Sequence, residues 1–156
     1  MDFAVRPATL ADLDAISEIR LAVRENVLSD PAAITRADYV TMLAPERGAC
    51  WVAESRGEIL GFSWADFAAR NVWALFVRPE RERRGVGRAV HATMMDAFFS
   101  RSDTRVWLGT TPGTRAVAFY RAAGWIESGL LANGEVRFEM DAPRGAQCRT
   151  AFNARR

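Results

Sequence analysis

The sequence contains no lysine, one histidine and two cysteines. All 21 basic residues are therefore arginine, which excludes a Schiff-base lysine and regulation by acylation of the protein's own lysines. The two cysteines, Cys50 and Cys148, are far apart, and no CxxC pair occurs. Together with the single histidine, His91, they do not match the ligand spacing of a zinc site. We therefore expect no metal.

The chain also lacks a strong net charge and a long apolar run. Its 156 residues carry a formal charge of +2 and are 49% hydrophobic, which is typical of one globular domain. So small a charge gives no general reason to expect nucleic acid or a membrane as a partner. No apolar run has the length of a membrane span, and the first residues do not resemble a signal peptide. We expect a cytoplasmic protein.

Hydrophobic periodicity and turn residues predict elements in the order β-α-α-β-β-β-α-β-α-β-β. The predicted strands are Phe3–Arg6, Cys50–Glu54, Glu58–Ala65, Val72–Val77, Thr104–Thr110, Trp125–Leu130 and Val136–Met140. The predicted helices run from the Thr9 cap to about Glu25, from the Thr35 cap to Pro45, from Gly85 to about Ser100, and from Pro112 to Ala122. His91 falls one step off the apolar stripe of the third helix, so we expect it on a partly exposed flank.

This pattern gives an α/β fold class, a mixed sheet within one domain. We assign residues 1–141 to the domain. The periodicity ends there, and residues 142–156 form an arginine-containing tail.

A strand-to-helix junction spans Val77 to Ala89 and carries the strongest functional signal. An apolar strand ends before Pro79, and a helix begins at Gly85 and Gly87. The first N–H groups of such a helix have no intrahelical partner and lie at the positive end of its dipole. Because glycine has no Cβ, a phosphate can approach them closely. Five arginines between positions 78 and 88 add positive charge, so the junction predicts a phosphate site.

The junction is neither a dinucleotide fingerprint, which needs a third glycine, nor a Walker motif. It resembles the GCN5-related N-acetyltransferase (GNAT) family, whose signature is V-x-P followed by [QR]-x-x-G-x-[GA] entering a long helix. Here the second part reads Glu82-Arg83-Arg84-Gly85-Val86-Gly87. The resemblance covers nearly all of Phe3–Asp141 and implies acetyl-CoA as co-substrate. Glu82 replaces the usual glutamine or arginine, so we expect it to face solvent or to pair with an arginine.

The resemblance also implies which residues contact the coenzyme. The phosphate loop maps onto residues 83–89, and the backbone that holds the thioester maps onto residues 75–77. Near Val77, beside a strand distortion, a backbone N–H would polarise the thioester carbonyl. The implied coenzyme contacts are Leu75, Phe76, Val77, Arg83, Arg84, Gly85, Val86, Gly87, Arg88 and Ala89.

A second motif, Ala116–Trp125, resembles the family's A-x-x-F-Y-x-x-x-G-[FW]. Its tyrosine, Tyr120, would lie near the thioester sulfur. A thiol has a reference pKa of about 8.5 and a phenol about 10, so Tyr120 can donate a proton or a stabilising hydrogen bond as the sulfur leaves. Gly113 replaces a frequent asparagine of the family, and backbone N–H groups around it can approach the coenzyme instead.

The sequence indicates the acceptor-binding residues less clearly than the coenzyme-binding residues. The resemblance implies direct attack by a neutral amine, aided by proximity and orientation. Candidate bases are Glu25, in the loop where acceptors approach in the family, and Asp66, beside the Val72–Val77 strand. The candidate acceptor-binding residues are Arg24, Asn26, Trp64 and Trp73. The acceptor itself, a small-molecule or peptide amine, is not specified by the sequence.

Two other functions remain open from the sequence. The same fold can serve as a non-catalytic sensor that binds acyl-CoA, which Glu82 and the missing base leave possible. The arginines at 78–88 can also form a basic surface for nucleic acid. Glu80 and Glu82 interrupt that surface, and it has no neighbouring aromatics for base stacking, so we expect no nucleic-acid partner. Family habit allows a homodimer through the C-terminal strands.

Overall fold

The computed structural model describes residues 2–27, 30 and 32–143, so most of the predicted tail lies outside the described residues. Within them the order of elements is the predicted one. The strands are β1 Ala4–Pro7, β2 Gly48–Ser55, β3 Glu58–Asp66, β4 Asn71–Val77, β5 Val106–Thr110, β6 Ile126–Leu130 and β7 Val136–Met140. The α-helices are α1 Leu13–Ala22, α2 Arg36–Met42, α3 Val86–Arg101 and α4 Arg115–Ala122.

Helix α1 is shorter than its periodicity predicts. Thr9 begins a single 3₁₀ turn, Leu10–Asp12, before α1, and the Thr9 backbone N–H donates to the Asp12 carboxylate at 2.7 Å. At the other end α1 stops at Ala22, and Val23 is already extended. The residues up to Asn26 therefore form a loop, which leaves them available to the site described below.

The strands form one mixed sheet in the order β1-β2-β3-β4-β5-β7-β6. Neighbours are antiparallel except β4 and β5, which are parallel. In the described sheet, β4 and β5 pair at one position, Asn71 with Trp107, and then separate. Trp73 is an extra residue in β4, because Trp64 of β3 lies opposite Ala74 while Ala65 lies opposite Val72. Such a bulge bends a strand, and here it accompanies the opening of a cleft between β4 and β5.

Helices cover both faces of the sheet. On one face α1 and α2 pack on β2 and β3 in a cluster that includes Leu13, Ile16, Ile19, Met42, Val52, Phe62 and Trp64. On the other face α3 and α4 pack in a cluster that includes Met94, Phe98, Val117, Leu108 and Phe138. This arrangement confirms the mixed α/β domain. Strand β6 is the sheet edge and exposes Ile126 and Leu130, and the dimer remains a prediction.

The described part of the chain contains no helix long and apolar enough to cross a membrane.

The expected exposure of His91 is wrong. His91 is buried, and its Nε2 accepts a hydrogen bond from the Trp125 indole N–H at 3.0 Å. Phe119 of α4 packs edge-on against its ring. The periodicity of α3 alone does not reveal this contact, because the covering residues come from α4 and from Trp125 between α4 and β6, later in the chain.

Lowering the pH should destabilise the fold through His91. Burial lowers the pKa of His91 to about 4, against a reference of about 6.5 in the unfolded chain. Between these pH values the unfolded chain binds more protons than the folded one. The neutral His91 therefore contributes its full stabilisation above about pH 6.5. Up to about 3 kcal/mol of the free energy of unfolding is lost as the pH falls towards 4. Urea unfolding across this range measures the loss.

The control for this prediction is His91→Gln, which keeps an acceptor for the Trp125 N–H but does not titrate. The difference in unfolding free energy between the two proteins should change with pH over that window. A difference that stays constant with pH would show that His91 does not titrate as described.

Candidate functional site

The N-terminus of α3 presents free N–H groups beside the end of β4. Gly85 caps the helix at φ +83°, a left-handed conformation that glycine adopts without steric cost. The first helical bond runs from the Ala89 N–H to the Gly85 carbonyl at 3.0 Å. The N–H groups of Val86, Gly87 and Arg88 precede that bond and lie at the positive end of the 16-residue helix. This end of α3 can therefore bind an anion.

These N–H groups border a cavity of about 530 Å³, which we call cavity 1. It lies between the end of β4, the start of α3, the loop after α1, and α4. Twelve of the predicted site residues line it: Arg24, Glu25, Asn26, Leu75, Phe76, Val77, Arg83, Gly85, Val86, Gly87, Arg88 and Tyr120. The expected phosphate loop and strand backbone are thus brought together in one cavity.

Cavity 1 carries uncompensated positive charge. Among the described residues, Arg24, Arg83 and Arg88 line it without a carboxylate partner. Two other arginines of the 78–88 segment have carboxylate partners: Arg78 pairs with Glu18 at 2.8 Å, and Arg81, which also lines cavity 1, pairs with Glu58 at 3.1 Å. The free guanidinium groups and the helix N–H groups together suit a ligand with several phosphate oxygens.

Glu82 forms an ion pair with an arginine within the same cavity. Its carboxylate lies 2.6 Å from Arg115 Nη1, and Arg115 Nε also contacts Glu25 at 3.1 Å. Of the two expected arrangements for Glu82, the structure shows the arginine pair. Both carboxylates raise the pKa of Arg115, so it remains charged and holds the two acidic groups. An anion in cavity 1 therefore does not face an unpaired Glu82.

A second cavity of about 410 Å³, cavity 2, occupies the cleft where β4 and β5 separate. Its walls are β4 residues 71–76 and β5 residues 107–110, with further residues from α1, α2 and the β6–β7 turn. Six aromatic residues contribute to the lining: Tyr39, Phe62, Trp73, Phe76, Trp107 and Tyr120. Trp73 thus lines a cavity, and its contact with an acceptor stays a prediction.

The two cavities meet at a shared set of residues, which we call the junction residues: Asn26, Leu75, Phe76, Ala116 and Tyr120. The Asn26 side-chain oxygen accepts from the Thr111 N–H at 2.8 Å, which ties the loop after α1 to the end of β5. Tyr120 is buried, and burial raises the pKa of its phenol. A neutral phenol at the meeting point can donate a proton to a group that lies between the cavities.

Several predicted site residues do not line either cavity. Arg84, Ala89 and Gly113 are absent from both linings. Trp64 is fully buried in the core, where its indole N–H donates to the Met42 carbonyl at 3.0 Å. The prediction that Trp64 contacts the acceptor is wrong, because the bulge next to it in β4 sends Trp73, and not Trp64, into the cleft.

Neither of the two candidate bases, Glu25 and Asp66, lines cavity 2. Asp66 pairs with Arg47 at 2.8 Å and accepts from the Ala69 N–H at 3.0 Å, so its carboxylate is engaged in the β3–β4 turn and lines neither cavity. The prediction that Asp66 acts as a base is therefore wrong. Glu25 lines cavity 1, where Arg115 holds it.

The strand distortion also lies earlier than expected. It is at Trp73, four residues before Val77. The consequence for the site is that the whole of 74–77 runs along the open cleft, and in the described sheet the β5-facing edge of this segment has no ladder partner. Its backbone polar groups are free to bond a ligand.

Sequence reasoning missed two charged residues of cavity 2, Arg20 and Glu135. Arg20 follows Ile16 by four positions and so shares the buried stripe of α1, and a charge within an apolar stripe is the signal that could have revealed it. Glu135 follows the predicted Asn133-Gly134 turn. Only the pairing of β7 with β5 brings that turn to the cleft. No local sequence pattern predicts this pairing.

Comparison with a family model gives a match to the acetyltransferase (GNAT) family over residues 13–125. A search of curated proteins by sequence finds no match. Solved structures show the same fold at low identity. The PaiA N-acetyltransferase from Thermoplasma acidophilum, in complex with coenzyme A, has a TM-score of 0.79 at 12% identity, covering 90% of this chain and 99% of that chain.

Two further structures have similar scores. The ribosomal-protein-S18-alanine N-acetyltransferase from Escherichia coli has a TM-score of 0.70 at 18% identity, covering 93% of this chain and 97% of that one. A phosphinothricin acetyltransferase from Sinorhizobium meliloti, in complex with AcCoA, has a TM-score of 0.73 at 20% identity, covering 94% and 92%. At these identities the likeness supports the fold.

Proposed function

The chain belongs to the acetyltransferase (GNAT) family, and from that premise we propose that it transfers an acetyl group from acetyl-CoA to the amine of a small molecule or peptide. The observation that carries the proposal is the meeting of two cavities at the junction residues. One cavity is charged for phosphates, and the other is lined by aromatic side chains. Such a pair suits a reaction between two ligands that enter from different sides.

The residues of cavity 1 fit coenzyme A. Arg24, Arg83 and Arg88 offer guanidinium groups to its phosphates, beside the free N–H groups at the start of α3. The unpaired edge of β4 at residues 75–77 offers backbone groups to its amide-containing arm. Related structures of the same fold contain coenzyme A or AcCoA, which supports the assignment.

Acetyl-CoA would supply an activated acyl group, and attack by a neutral amine would form a C–N bond and break the C–S bond. Tyr120 lies at the junction with its proton retained, so we assign it a stabilising hydrogen bond, or proton donation, to the departing sulfur. A backbone N–H of residues 75–77 would stabilise the negative charge that develops on the carbonyl oxygen.

We assign acceptance of the ammonium proton to Glu135, directly or through water. Glu135 contributes a carboxylate to cavity 2, whereas Glu25 is held by Arg115 in cavity 1 and Asp66 lies outside both cavities. The Asn133 side chain donates to Glu135 at 2.7 Å, which orients its carboxylate. Glu25 then acts as a structural partner that holds the start of α4 through the Arg115 N–H.

An amine panel with acetyl-CoA tests the function. Coenzyme thiol release, followed with DTNB, should depend on both the amine and acetyl-CoA. The panel should include small amines, amino acids, amino acid amides and peptides with free N-termini. Coenzyme binding without thiol release across the whole panel would contradict the enzyme and favour the acyl-CoA sensor.

Replacing Tyr120 with phenylalanine should lower kcat while coenzyme affinity stays the same. A lost general acid costs about 100-fold or more, whereas the ring and its packing remain. Steady-state kinetics and calorimetric binding of coenzyme A separate the two quantities. Full kcat in Tyr120→Phe would assign the proton to another donor.

A bulky side chain at Gly87 should abolish coenzyme binding without unfolding the protein. A Cβ there would lie 3.5 Å from Val77 Cγ2 and 3.7 Å from Phe119 Cε2, which are ordinary contacts. Leucine at this position would extend into cavity 1 and displace phosphates from the helix N–H groups. Losing two charge-assisted hydrogen bonds raises Kd by about 100-fold or more.

The matched control is Gly87→Ala, which adds only the tolerated Cβ and a residue of higher helix propensity. Its thermal stability should equal or exceed that of the unaltered protein, with coenzyme still bound. Equal coenzyme affinity in Gly87→Leu and Gly87→Ala would place the phosphates away from α3.

A further inference from the structure

Arg20 is a charged residue on the buried face of α1. Its neighbours on that face, Ile16 and Ile19, are fully buried in the core. The guanidinium carbon of Arg20 lies 4.1 Å from the ring centroid of Phe76, one of the junction residues. This stacking fixes the side chain against β4, where it lines cavity 2.

Arg20 has no acidic partner among the described residues. Its Nη1 is inaccessible to solvent and has no hydrogen-bond partner among the described residues. The described ion pairs do not include Arg20 either. The residues outside the described ranges contain no aspartate or glutamate, so they add no carboxylate side chain.

An unpaired guanidinium in this position is costly to the free protein. Burial lowers the pKa of Arg20, and the nearby Tyr39 phenol offsets this only in part. The protein retains a partly desolvated charge that a hydrophobic residue would avoid at this point of α1. An anion in cavity 2 would compensate that charge, and a carboxylate matches the planar donor geometry of arginine.

The charges of cavity 2 are arranged on two walls. Among the described residues that line it, Arg20 and Glu135 carry the formal charges. Arg20 rests on Phe76 of β4. Glu135 lies against β5, since a Cβ on Gly109 would come within 3.1 Å of Glu135 Oε1. A ligand with a negative and a positive group can thus satisfy both walls at once.

We propose that the acceptor is a small amine that also carries a carboxylate, as an amino acid does, with the carboxylate bound by Arg20 and the ammonium facing Glu135. The inference rests on the proposed function. Because Arg20 stacks on a junction residue, the carboxylate binds next to the place of transfer. The amine and the carboxylate must therefore be only a few bonds apart. A peptide N-terminus lacks that carboxylate, because its first residue ends in an amide.

The test compares free amino acids with their amides as acceptors in the full-length protein. Thiol release from acetyl-CoA gives kcat/KM for each pair, and the acid-to-amide ratio reports carboxylate recognition. The amide has the less basic amine, hence the larger neutral fraction, so this chemical bias favours the amide. We expect the unaltered protein to prefer the acid by about tenfold or more. Equal or better use of amides or peptides would overturn the inference.

Variants of Arg20 test whether this side chain causes the preference for the free acid over the amide. In Arg20→Gln the acid-to-amide ratio should fall by about 10- to 100-fold, mainly through KM for the acid. Arg20→Lys keeps a charge without the planar fork, and its ratio should lie between the two. The control is Arg121→Gln, an exposed arginine of α4 that pairs with Glu127 and lines neither cavity. An unchanged ratio in Arg20→Gln would overturn the inference.

Calorimetry with the coenzyme A complex separates this inference from the proposed function. A free amino acid should bind that complex and lose affinity in Arg20→Gln, whether or not turnover occurs. Arg20-dependent binding without thiol release would refute the acetyltransferase and retain the carboxylate site. Thiol release that prefers amides would retain the acetyltransferase and refute the carboxylate site.

Discussion

The separation of β4 from β5 is the constraint on which the rest of the site depends. The strands meet at Asn71 and Trp107, where the Asn71 side chain donates to the Trp107 carbonyl at 3.2 Å. Beyond this closure an interior edge of the sheet is left without its ladder bonds. Backbone N–H and C=O groups inside a protein need partners, so the unpaired backbone groups along the cleft are suited to bond a ligand. The bulge at Trp73 accompanies the opening and turns an indole into it.

Each end of the cleft has its own chemistry. Towards α3, free helix N–H groups and arginines without carboxylate partners create a positive cavity, in which Arg115 pairs with both Glu82 and Glu25. Towards the β6–β7 turn, aromatic walls enclose one positive and one negative side chain. Tyr120 stands where the two regions meet, deprived of water and therefore protonated. In the proposed reaction this arrangement would bring an activated acyl group and an amine to one place, and their orientation would supply much of the rate.

The sequence predicts well the features that depend on residues close together in the chain. The order of elements follows from periodicity, and the helix start at Gly85 and Gly87, with arginines around it, is also legible in the sequence. Contacts between distant segments were not predictable in the same way. Helix α1 ends at Ala22, and the loop after it is held by the bond between Asn26 and the end of β5. His91 is covered by α4, and Glu135 reaches the cleft only through the β5–β7 pairing. These depend on the tertiary structure.

The central claim is that coenzyme A completes the open edge of β4 and delivers its thioester to Tyr120. A crystal structure of the complex with acetyl-CoA tests it most directly. The account expects the phosphates at the N-terminus of α3, the amide-containing arm along residues 75–77, and the thioester at the junction residues. Coenzyme bound outside the β4–β5 cleft, or with its thioester remote from Tyr120, would contradict it.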